Sequence, residues 1–318
     1  MMVRLSRRSL VLAAAVLPVA GLAACNRGGG RDRIAVSFHN MAEPFFVVMR
    51  RELMDEAETL GVEVSVLDGQ ANSAKQSADI EAALVQGVKG VILAPTDVNA
   101  LAPAVNSVLK ESLPIITVDR RIEGASAPVA HVGADNVAGG RLMVEWIVRT
   151  RPQGARIVLL TGQPGSSSAI DRTRGVKEAL AKAGPSYALV AEQSANWSRD
   201  QGLTVTQNIL TSLGGSRPDV ILAENDDMAF GAIEALRTAG VTGVSVLGFD
   251  ATPEALGMIR SGAMALTVEQ SPSRQIRTAL RQIVGSIRDG GALTSVSIEP
   301  VVITRETLSS AERLNEVA

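Results

Sequence analysis

Side chains that can hold hydroxyl groups follow the apolar segments of this chain at several points along its 318 residues. These acidic, amide, guanidinium and aromatic residues are Glu43, Phe45, Phe46, Asp119, Arg120, Arg172, Trp197, Asn225, Asp250 and Gln270. Hydrogen bonds to charged groups are the stronger kind, and an arginine fork can hold two oxygens at once. An aromatic face suits the apolar C–H face of a sugar ring. The combination predicts a binding site for a small polyhydroxylated molecule.

The aromatic candidates stand out because aromatic residues make up only 3% of the chain. Phe45 and Phe46 follow Pro44, which suits the first turn of a helix. Core packing of these two rings is as consistent with the sequence as ligand stacking. Trp197 lies between two polar residues, which favours a position facing a ligand over burial in a core.

The charged candidates also have alternative roles. Asp119 and Arg120 are adjacent and could form a surface ion pair, which is usually worth little. Arg172 and Arg174 are two residues apart, and we expect at least one of them to be solvated. Only the joint placement of these groups favours a polar site.

Each of the three residues in Asn225-Asp226-Asp227 is of a type that can cap a helix. We expect Asp226 and Asp227 to cap the helix that follows them. This assignment leaves Asn225 as the ligand candidate in the motif.

Short apolar segments alternate with amphipathic ones from residue 34 onward, which predicts βαβ units and doubly wound parallel sheets. Met49, Leu53, Ala57 and Leu60 recur at helical spacing, and Gly61 follows as a stop. The predicted strands are Ile34–Phe38, Val62–Leu67, Val91–Ala94, Ile115–Val118, Ala130–Gly133, Ile157–Leu160, Ala188–Ala191, Val220–Ala223, Val244–Gly248 and Ala265–Val268, with a last β-rich segment at Val296–Thr304. The predicted fold class is therefore α/β.

The ten strands divide into two halves of five with matching order. The third strand runs Val91–Asp97 in one half and Val220–Asp226 in the other, and both end in aspartate. We predict two similar lobes: 33–134 plus 271–296 forms the N-terminal lobe, 135–270 plus 297–308 forms the C-terminal lobe, and 309–318 is a tail. The chain would cross between the lobes more than once. In such sheets ligands lie beyond the carboxyl ends of the strands, which places the site between the lobes.

The N-terminus has the pattern of an export signal. A basic start containing Arg4, Arg7 and Arg8 precedes the apolar stretch Leu10–Ala24, which is too short for a spanning helix. We predict a signal peptide over residues 1–24 and a lipidated N-terminus with a linker over residues 25–32. Small residues leading into Cys25 resemble a bacterial lipobox. The twin-arginine and general secretory routes both stay open.

Composition argues against several classes of function. The formal net charge is −2 and the predicted leader carries three arginines, so the exported chain is acidic and nucleic acid is not expected as a partner. The sequence has no Ser nucleophile elbow, no HExxH motif and no metal-spaced His or Cys cluster. His39 and His131 are isolated, and we interpret them as structural or incidental. We therefore predict a non-enzyme without cofactor or metal.

The chain resembles the ribose-type branch of periplasmic sugar-binding proteins across residues 33–304. The matching stretches are 43–47, 95–97, 116–120, 135–140, 225–229, 248–253 and 268–270. The resemblance implies the type I fold with three hinge crossings, a monomer, and delivery of ligand to the membrane permease of an ABC transporter. It implies that Phe45, Phe46 and Trp197 contact the sugar faces. It also implies polar contacts from Asp119, Arg120, Arg172, Asn225, Asp250 and Gln270.

Three positions depart from the ribose pattern. Glu43 and Ala94 replace asparagines, and Trp197 stands where phenylalanine is usual. Glu43 can accept hydrogen bonds but cannot donate as an amide does, and Ala94 removes one polar group. These departures favour a differently substituted pentose, a hexose or a polyol over ribose.

Three other functions share features with this sequence. A sensor could present the closed lobes to a membrane signalling receptor, and the sequence does not decide against this role. An enzyme acting on sugars could use carboxylates such as Asp119 and Asp250. A regulator of the lactose-repressor family would need a DNA-binding helix-turn-helix where this chain has an export signal.

Overall fold

The computed structural model describes residues 31–317. The predicted signal peptide, the predicted lipidation site Cys25 and most of the predicted linker lie outside the described residues. Within 31–317, none of the helices combines the length and apolarity needed to cross a membrane.

Two six-stranded sheets form the framework of the described chain. The first has the order β11-β5-β4-β3-β1-β2 and the second β12-β10-β9-β8-β6-β7. The strands are β1 (Arg33–Phe38), β2 (Glu63–Asp68), β3 (Gly90–Leu93), β4 (Ile115–Val118), β5 (Ala130–Ala134), β6 (Ala155–Thr161), β7 (Tyr187–Ser194), β8 (Val220–Ala223), β9 (Ser245–Phe249), β10 (Leu266–Glu269), β11 (Val296–Ile298) and β12 (Val301–Ile303). The described pairings are parallel except for β10 with β12.

Helices cover both faces of each sheet. They are α1 (Pro44–Leu60), α2 (Ser73–Val85), α3 (Ala102–Lys110), α4 (Asn136–Thr150), α5 (Ser167–Ala183), α6 (Arg199–Leu213), α7 (Asp226–Thr238), α8 (Pro253–Ser261) and α9 (Pro272–Asp289). In the first lobe, α1 and α9 share one apolar core, and α2 and α3 share the core on the other face. In the second lobe, α6, α7 and α8 pack on one face, and α4 and α5 on the other.

The predicted α/β class with two doubly wound lobes is confirmed. Central strands such as β3, β4 and β8 are buried along their whole length, as strands covered on both faces must be. The predicted stop after α1 is also confirmed, since Gly61 adopts φ 65° and its N–H returns to the last turn of the helix.

The chain passes between the sheets three times: before α4, before α9, and between β11 and β12. The predicted end of the first lobe at residue 296 is too early. Val296–Ile298 pairs with β5, with Ile298 opposite Ala134, so all of β11 belongs to the first sheet. The third crossing is therefore Glu299–Pro300, and β12 begins at Val301.

Glycines let the helices of the second lobe approach closely. A Cβ at Gly140 in α4 would overlap the backbone oxygen of Arg172 in α5, and a Cβ at Gly175 would overlap the backbone oxygen of Val137. By contrast, a Cβ at Gly285 in α9 would meet nothing within 4 Å. Glycine thus sets the spacing of α4 and α5 but has no such role in α9.

These two helix glycines make a matched pair for mutation. Gly140→Ala should lower the free energy of unfolding by about 1–3 kcal/mol, because the new methyl forces two helix backbones apart. Gly285→Ala should raise it by about 0.5–1 kcal/mol through helix propensity alone. Urea unfolding followed by circular dichroism measures both. Equal stability of Gly140→Ala and wild type would show that the helices are not held at this spacing.

Candidate ligand-binding site

All ten residues selected from the sequence line one small cavity. The cavity lies at the carboxyl ends of the strands of both sheets. The first lobe contributes Glu43, Phe45, Phe46, Asp119 and Arg120; the second contributes Ser168, Arg172, Trp197, Asn225, Asp250 and Gln270. Ser168 is the one lining residue that sequence reasoning missed.

Phe45 and Phe46 form an aromatic wall at the start of α1. Their rings meet edge to face at 5.3 Å between centroids, and the Phe46 ring lies 5.6 Å from that of Phe38. Both are buried members of the first lobe's core and also line the cavity. Core packing and a position at the ligand site, the two alternatives for these rings, therefore hold together, because each ring packs in the core and also borders the cavity.

Trp197 forms the opposing aromatic surface. It follows β7 in the left-handed conformation, with φ 63°. Its indole lies against Gly162, where any Cβ would overlap the ring. The side chain is 4% exposed and joins the second lobe's core, so the expectation that it avoids burial was wrong. Its Nε1 has no hydrogen-bond partner among the described residues.

Arg120 is held between two carboxylates in the first lobe. Its Nη2 lies 3.6 Å from Glu43 Oε2, and its Nε lies 3.5 Å from Asp119 Oδ2. The Asp119–Arg120 pair is buried, with side-chain exposures of 5% and 4%, which rules out the surface ion pair. In the described structure, Arg120 Nε and Nη1 make no hydrogen bond. These donors border the cavity and can serve a ligand.

Arg172 is fixed on three sides within the second lobe. Its Nε donates to Asn136 Oδ1 at 2.8 Å, and its Nη1 donates to the backbone oxygen of Glu224 at 2.5 Å. Its guanidinium carbon lies 3.6 Å from the centroid of the Phe249 ring. The neighbouring Arg174 has a side chain that is 54% exposed. As expected, one of the two arginines is solvated, and only Arg172 lines the cavity.

The capping roles expected of Asp226 and Asp227 were wrong. Asn225 is the N-cap of α7, and its Oδ1 accepts the backbone N–H of residue 228 at 2.9 Å. Asp226 is buried and accepts hydrogen bonds from Thr252 and from the hydroxyl of Thr267. Asn225 thus borders the cavity while capping the helix, and Asp226 fastens the loop after β9.

Asp250 and Gln270 directly follow two neighbouring strands, β9 and β10. Gln270 Nε2 donates to Asp250 Oδ1 at 2.6 Å, and Gln275 Nε2 donates to the backbone oxygen of Gln270 at 2.8 Å. Asp250 has φ 109°, a left-handed conformation that few residues other than glycine adopt. The backbone after β9 therefore directs this carboxylate into the cavity at a conformational cost.

Burial dominates the electrostatics of the site. It raises the pKa of the Asp119 and Asp250 carboxyls and lowers the pKa of the Arg172 guanidinium, because each charged form loses water. The opposite charges of these residues counteract this effect. Together with Glu43 and Arg120, they offer acceptors and donors that are suited to hydroxyl groups.

His39 supports the site from behind, which its isolation in the sequence did not reveal. Its Nε2 lies 3.1 Å from Glu43 Oε1, and its Nδ1 lies 3.2 Å from Thr96 Oγ1. The ring is 1% exposed, and burial lowers its pKa. The four-residue spacing of His39 and Glu43 was the only available signal. His131 lies elsewhere, with Nδ1 3.0 Å from Thr117 Oγ1.

Comparison with known proteins agrees with this geometry. Residues 34–290 match the periplasmic binding protein domain. The chain belongs to the periplasmic binding protein family, as a sugar-binding protein of the ribose type with a solute-binding role in transport. The family assignment implies that the protein is exported to the periplasm. The resemblance inferred from the sequence is confirmed.

The chain is similar to the ribose import binding protein of Salmonella typhimurium, with 37% identity over 246 residues that cover 77% of this chain and 81% of that relative. Among solved structures it is similar to the Caulobacter myo-inositol binding protein bound to myo-inositol. That match has 56% identity and a TM-score of 0.89, and covers 91% of this chain and 98% of the other. A Bacillus halodurans ABC transporter solute binding protein with bound myo-inositol matches at 29% identity and a TM-score of 0.83, covering 88% and 97%.

Glu224 is a buried carboxyl beneath the site, and it provides a pH test. Burial raises its pKa to about 7, although it accepts hydrogen bonds from Thr173 Oγ1 and from the backbone N–H of Gly162. Between its unfolded pKa near 4.5 and about 7, the folded protein keeps a proton that the unfolded chain has lost. Its contribution to stability therefore falls as pH rises through that window.

Glu224→Gln removes this titration. The free energy of unfolding of the variant relative to wild type should therefore rise with pH from 4.5 to 7, by on the order of 1 kcal/mol per pH unit. Urea unfolding at half-unit pH intervals measures the difference. Values near pH 3.5 serve as the baseline, because the carboxyl is then largely protonated in both states. A stability difference between the two proteins that does not change with pH would contradict the raised pKa of Glu224.

Proposed function

We propose that this protein binds myo-inositol, or a cyclic polyol very close to it, between its lobes and delivers it to an ABC transporter permease. The observation that carries the proposal is the convergence of ten side chains from both lobes, nine of them buried, on one cavity. The solved relative at 56% identity with bound myo-inositol supports this choice within the sugars and polyols.

The chemistry of the cavity matches a neutral ligand with a hydroxyl on every carbon. Arg120 Nε and Nη1 and Trp197 Nε1 are buried donors that have no hydrogen-bond partner within residues 31–317. Glu43, Asp119 and Asp250 supply carboxylate oxygens that accept. Each hydroxyl can donate to one group while accepting from another. A ligand lacking some hydroxyls would leave buried groups unpaired, which disfavours its binding.

The proposed mechanism is closure of the two lobes on the ligand. Contacts between the lobes already join the rims of the cavity: Arg121 N–H donates to Ser167 Oγ at 2.9 Å, and Val98 N–H donates to the backbone oxygen of Gly165 at 2.8 Å. Because Asp119 and Arg172 come from different lobes, a ligand contacts both only when the lobes are closed. Ligand binding therefore shifts the population towards the closed form, which the permease would recognise.

The remaining parts of the proposal concern the chain as a whole. We expect a monomer. We also expect it to return its ligand chemically unchanged, since the similar proteins are binding proteins. The pattern leading into Cys25 supports lipidation there and tethering to the membrane. Stable anchoring needs more than one acyl chain, because a single chain binds only marginally.

Isothermal titration calorimetry against myo-inositol, ribose, xylitol and glucose tests the ligand. We expect myo-inositol to bind most tightly and to be recovered unchanged after long incubation. Asp119→Ala and Arg172→Ala should each weaken its binding by about 1 kcal/mol or more, roughly fivefold, because each removes a buried charged hydrogen-bonding group.

Arg141→Ala is the matched control for these variants, since Arg141 lies on α4 with a side chain that is 55% exposed. It should leave the affinity unchanged. Circular dichroism of each variant establishes that the fold is retained. Ribose as the tightest ligand, or unchanged affinity in both site variants, would refute the assignment.

Labelling of growing cells with an alkyne-tagged fatty acid tests the anchor. The mature protein should carry the label, and mass spectrometry should place the acyl chains on Cys25 at its N-terminus. Cys25→Ala should abolish the label, whereas Asn26→Ala should keep it. An unlabelled mature chain that begins at another residue would rule out the lipoprotein.

A further inference from the structure

The segment after β12 is a folded part of the second lobe. Two short 3-10 turns, Leu308–Ser310 and Leu314–Glu316, lie against α8. Leu308, Leu314 and Val317 pack against the same apolar core as α8, and Ala311 is buried in it. We call residues 308–317 the C-terminal brace. Its apolar side chains fix it in place, so its polar residues can act on neighbouring loops.

Arg313 points from this brace towards the backbone of the site. Its side chain is buried, with 4% of the residue exposed. Its Nη2 donates to the backbone oxygen of Asp250 at 2.5 Å and to that of Ala251 at 2.8 Å. One guanidinium nitrogen therefore holds two successive carbonyl groups directly behind a cavity-lining carboxylate.

The two carbonyls belong to a strained segment. Asp250 has φ 109° and Ala251 has φ 48°, both in the left-handed region that favours glycine. Such conformations persist only where surrounding contacts hold them. The neighbouring contacts are Ala251 N–H to Thr267 Oγ1 at 3.0 Å and Asp250 N–H to the backbone oxygen of Val268 at 2.7 Å. Arg313 holds the carbonyl oxygens of the same two residues.

Glu312, next to Arg313, also contacts the site backbone, at the second crossing between the lobes, which follows β10. Its backbone N–H donates to Glu269 Oε2 at 3.0 Å, and its Oε1 accepts from Ser271 Oγ at 2.5 Å. Ser271 is also left-handed, with φ 51°. The brace thus holds the ends of β9 and β10 together, which keeps Asp250 beside Gln270.

We propose that Arg313 is a positioning residue for the ligand-binding carboxylate of Asp250, acting through the left-handed Asp250–Ala251 backbone. The proposal rests on the proposed function, because it assigns Asp250 a contact with the ligand. Without the guanidinium, residues 250 and 251 relax towards ordinary backbone angles. The Asp250 carboxylate then turns away from the ligand hydroxyl whose hydrogen bond it accepts. Arg313 itself does not line the cavity.

A double-mutant cycle on myo-inositol affinity separates this role from general packing. Arg313→Met keeps apolar bulk and should weaken binding about tenfold in wild type, but less than about threefold in the Asp250→Asn background. Arg313→Lys should recover part of the loss, because an ammonium group can still donate to the carbonyls. If Arg313→Met fails to fold, the cycle is run with Arg313→Gln, which lacks the guanidinium but keeps a polar side chain. The same factor in both backgrounds, or no loss in either, would overturn the proposal.

Val108→Ala is the control for a loss of stability alone. Val108 is fully buried in α3 of the first lobe, on the sheet face away from α1 and α9. This variant should lower the unfolding midpoint, while its effect on affinity adds to that of Asp250→Asn without coupling. Coupling as large as that of Arg313→Met would mean that the cycle reports stability only.

Hydrogen exchange of the ligand-free protein tests the proposal even if no polyol binds. Arg313→Met should speed exchange of the amides in residues 250–252, because their strained backbone loses its support. Exchange in α7 should stay as in wild type. Unchanged exchange at 250–252 would overturn the role of Arg313, whereas failure of every polyol to bind would overturn the proposed function alone.

Discussion

The structure depends on keeping opposite charges side by side in a cavity that excludes water. Asp119, Arg120, Arg172 and Asp250 are each at most 6% exposed. Charges this deep are costly unless they are paired and hydrogen-bonded. Each lobe supplies an acid and an arginine, Asp119 with Arg120 and Asp250 with Arg172, and Arg172 also interacts electrostatically with Asp119 of the other lobe. The rest of the molecule can be understood as the framework that brings these groups together.

Backbone conformation carries much of that task. Among the described residues with positive φ other than glycine, six lie at the cavity or the hinge: Asp119, Asn196, Trp197, Asp250, Ala251 and Ser271. All of them lie within three residues of the end of a strand, where the chain turns sharply at the sheet edge. Strained conformations of this kind are concentrated at functional sites, where surrounding contacts maintain them.

Much of the fold and most of the lining residues could be predicted because they follow from local rules. Alternation of apolar segments gave the strands, and the position after each strand gave residues such as Asp119 and Asp250. The remaining predictions failed because they depend on residues that are far apart in the sequence. Asp226 was misassigned as a cap because Thr252 and Thr267, which engage it, lie 26 and 41 residues away. The pairing of β11 with β5 joins segments that are far apart in sequence, so the boundary at residue 296 could not be found locally.

Gly162 shows how the dimensions of the cavity can be encoded outside its lining. This residue follows β6 and does not line the cavity, but the indole of Trp197 occupies the space where its side chain would be. Even one methyl group there would push the ring forward and make the cleft shallower. The size of ligand that fits can therefore diverge among descendants of this chain while every ligand-contacting residue stays the same.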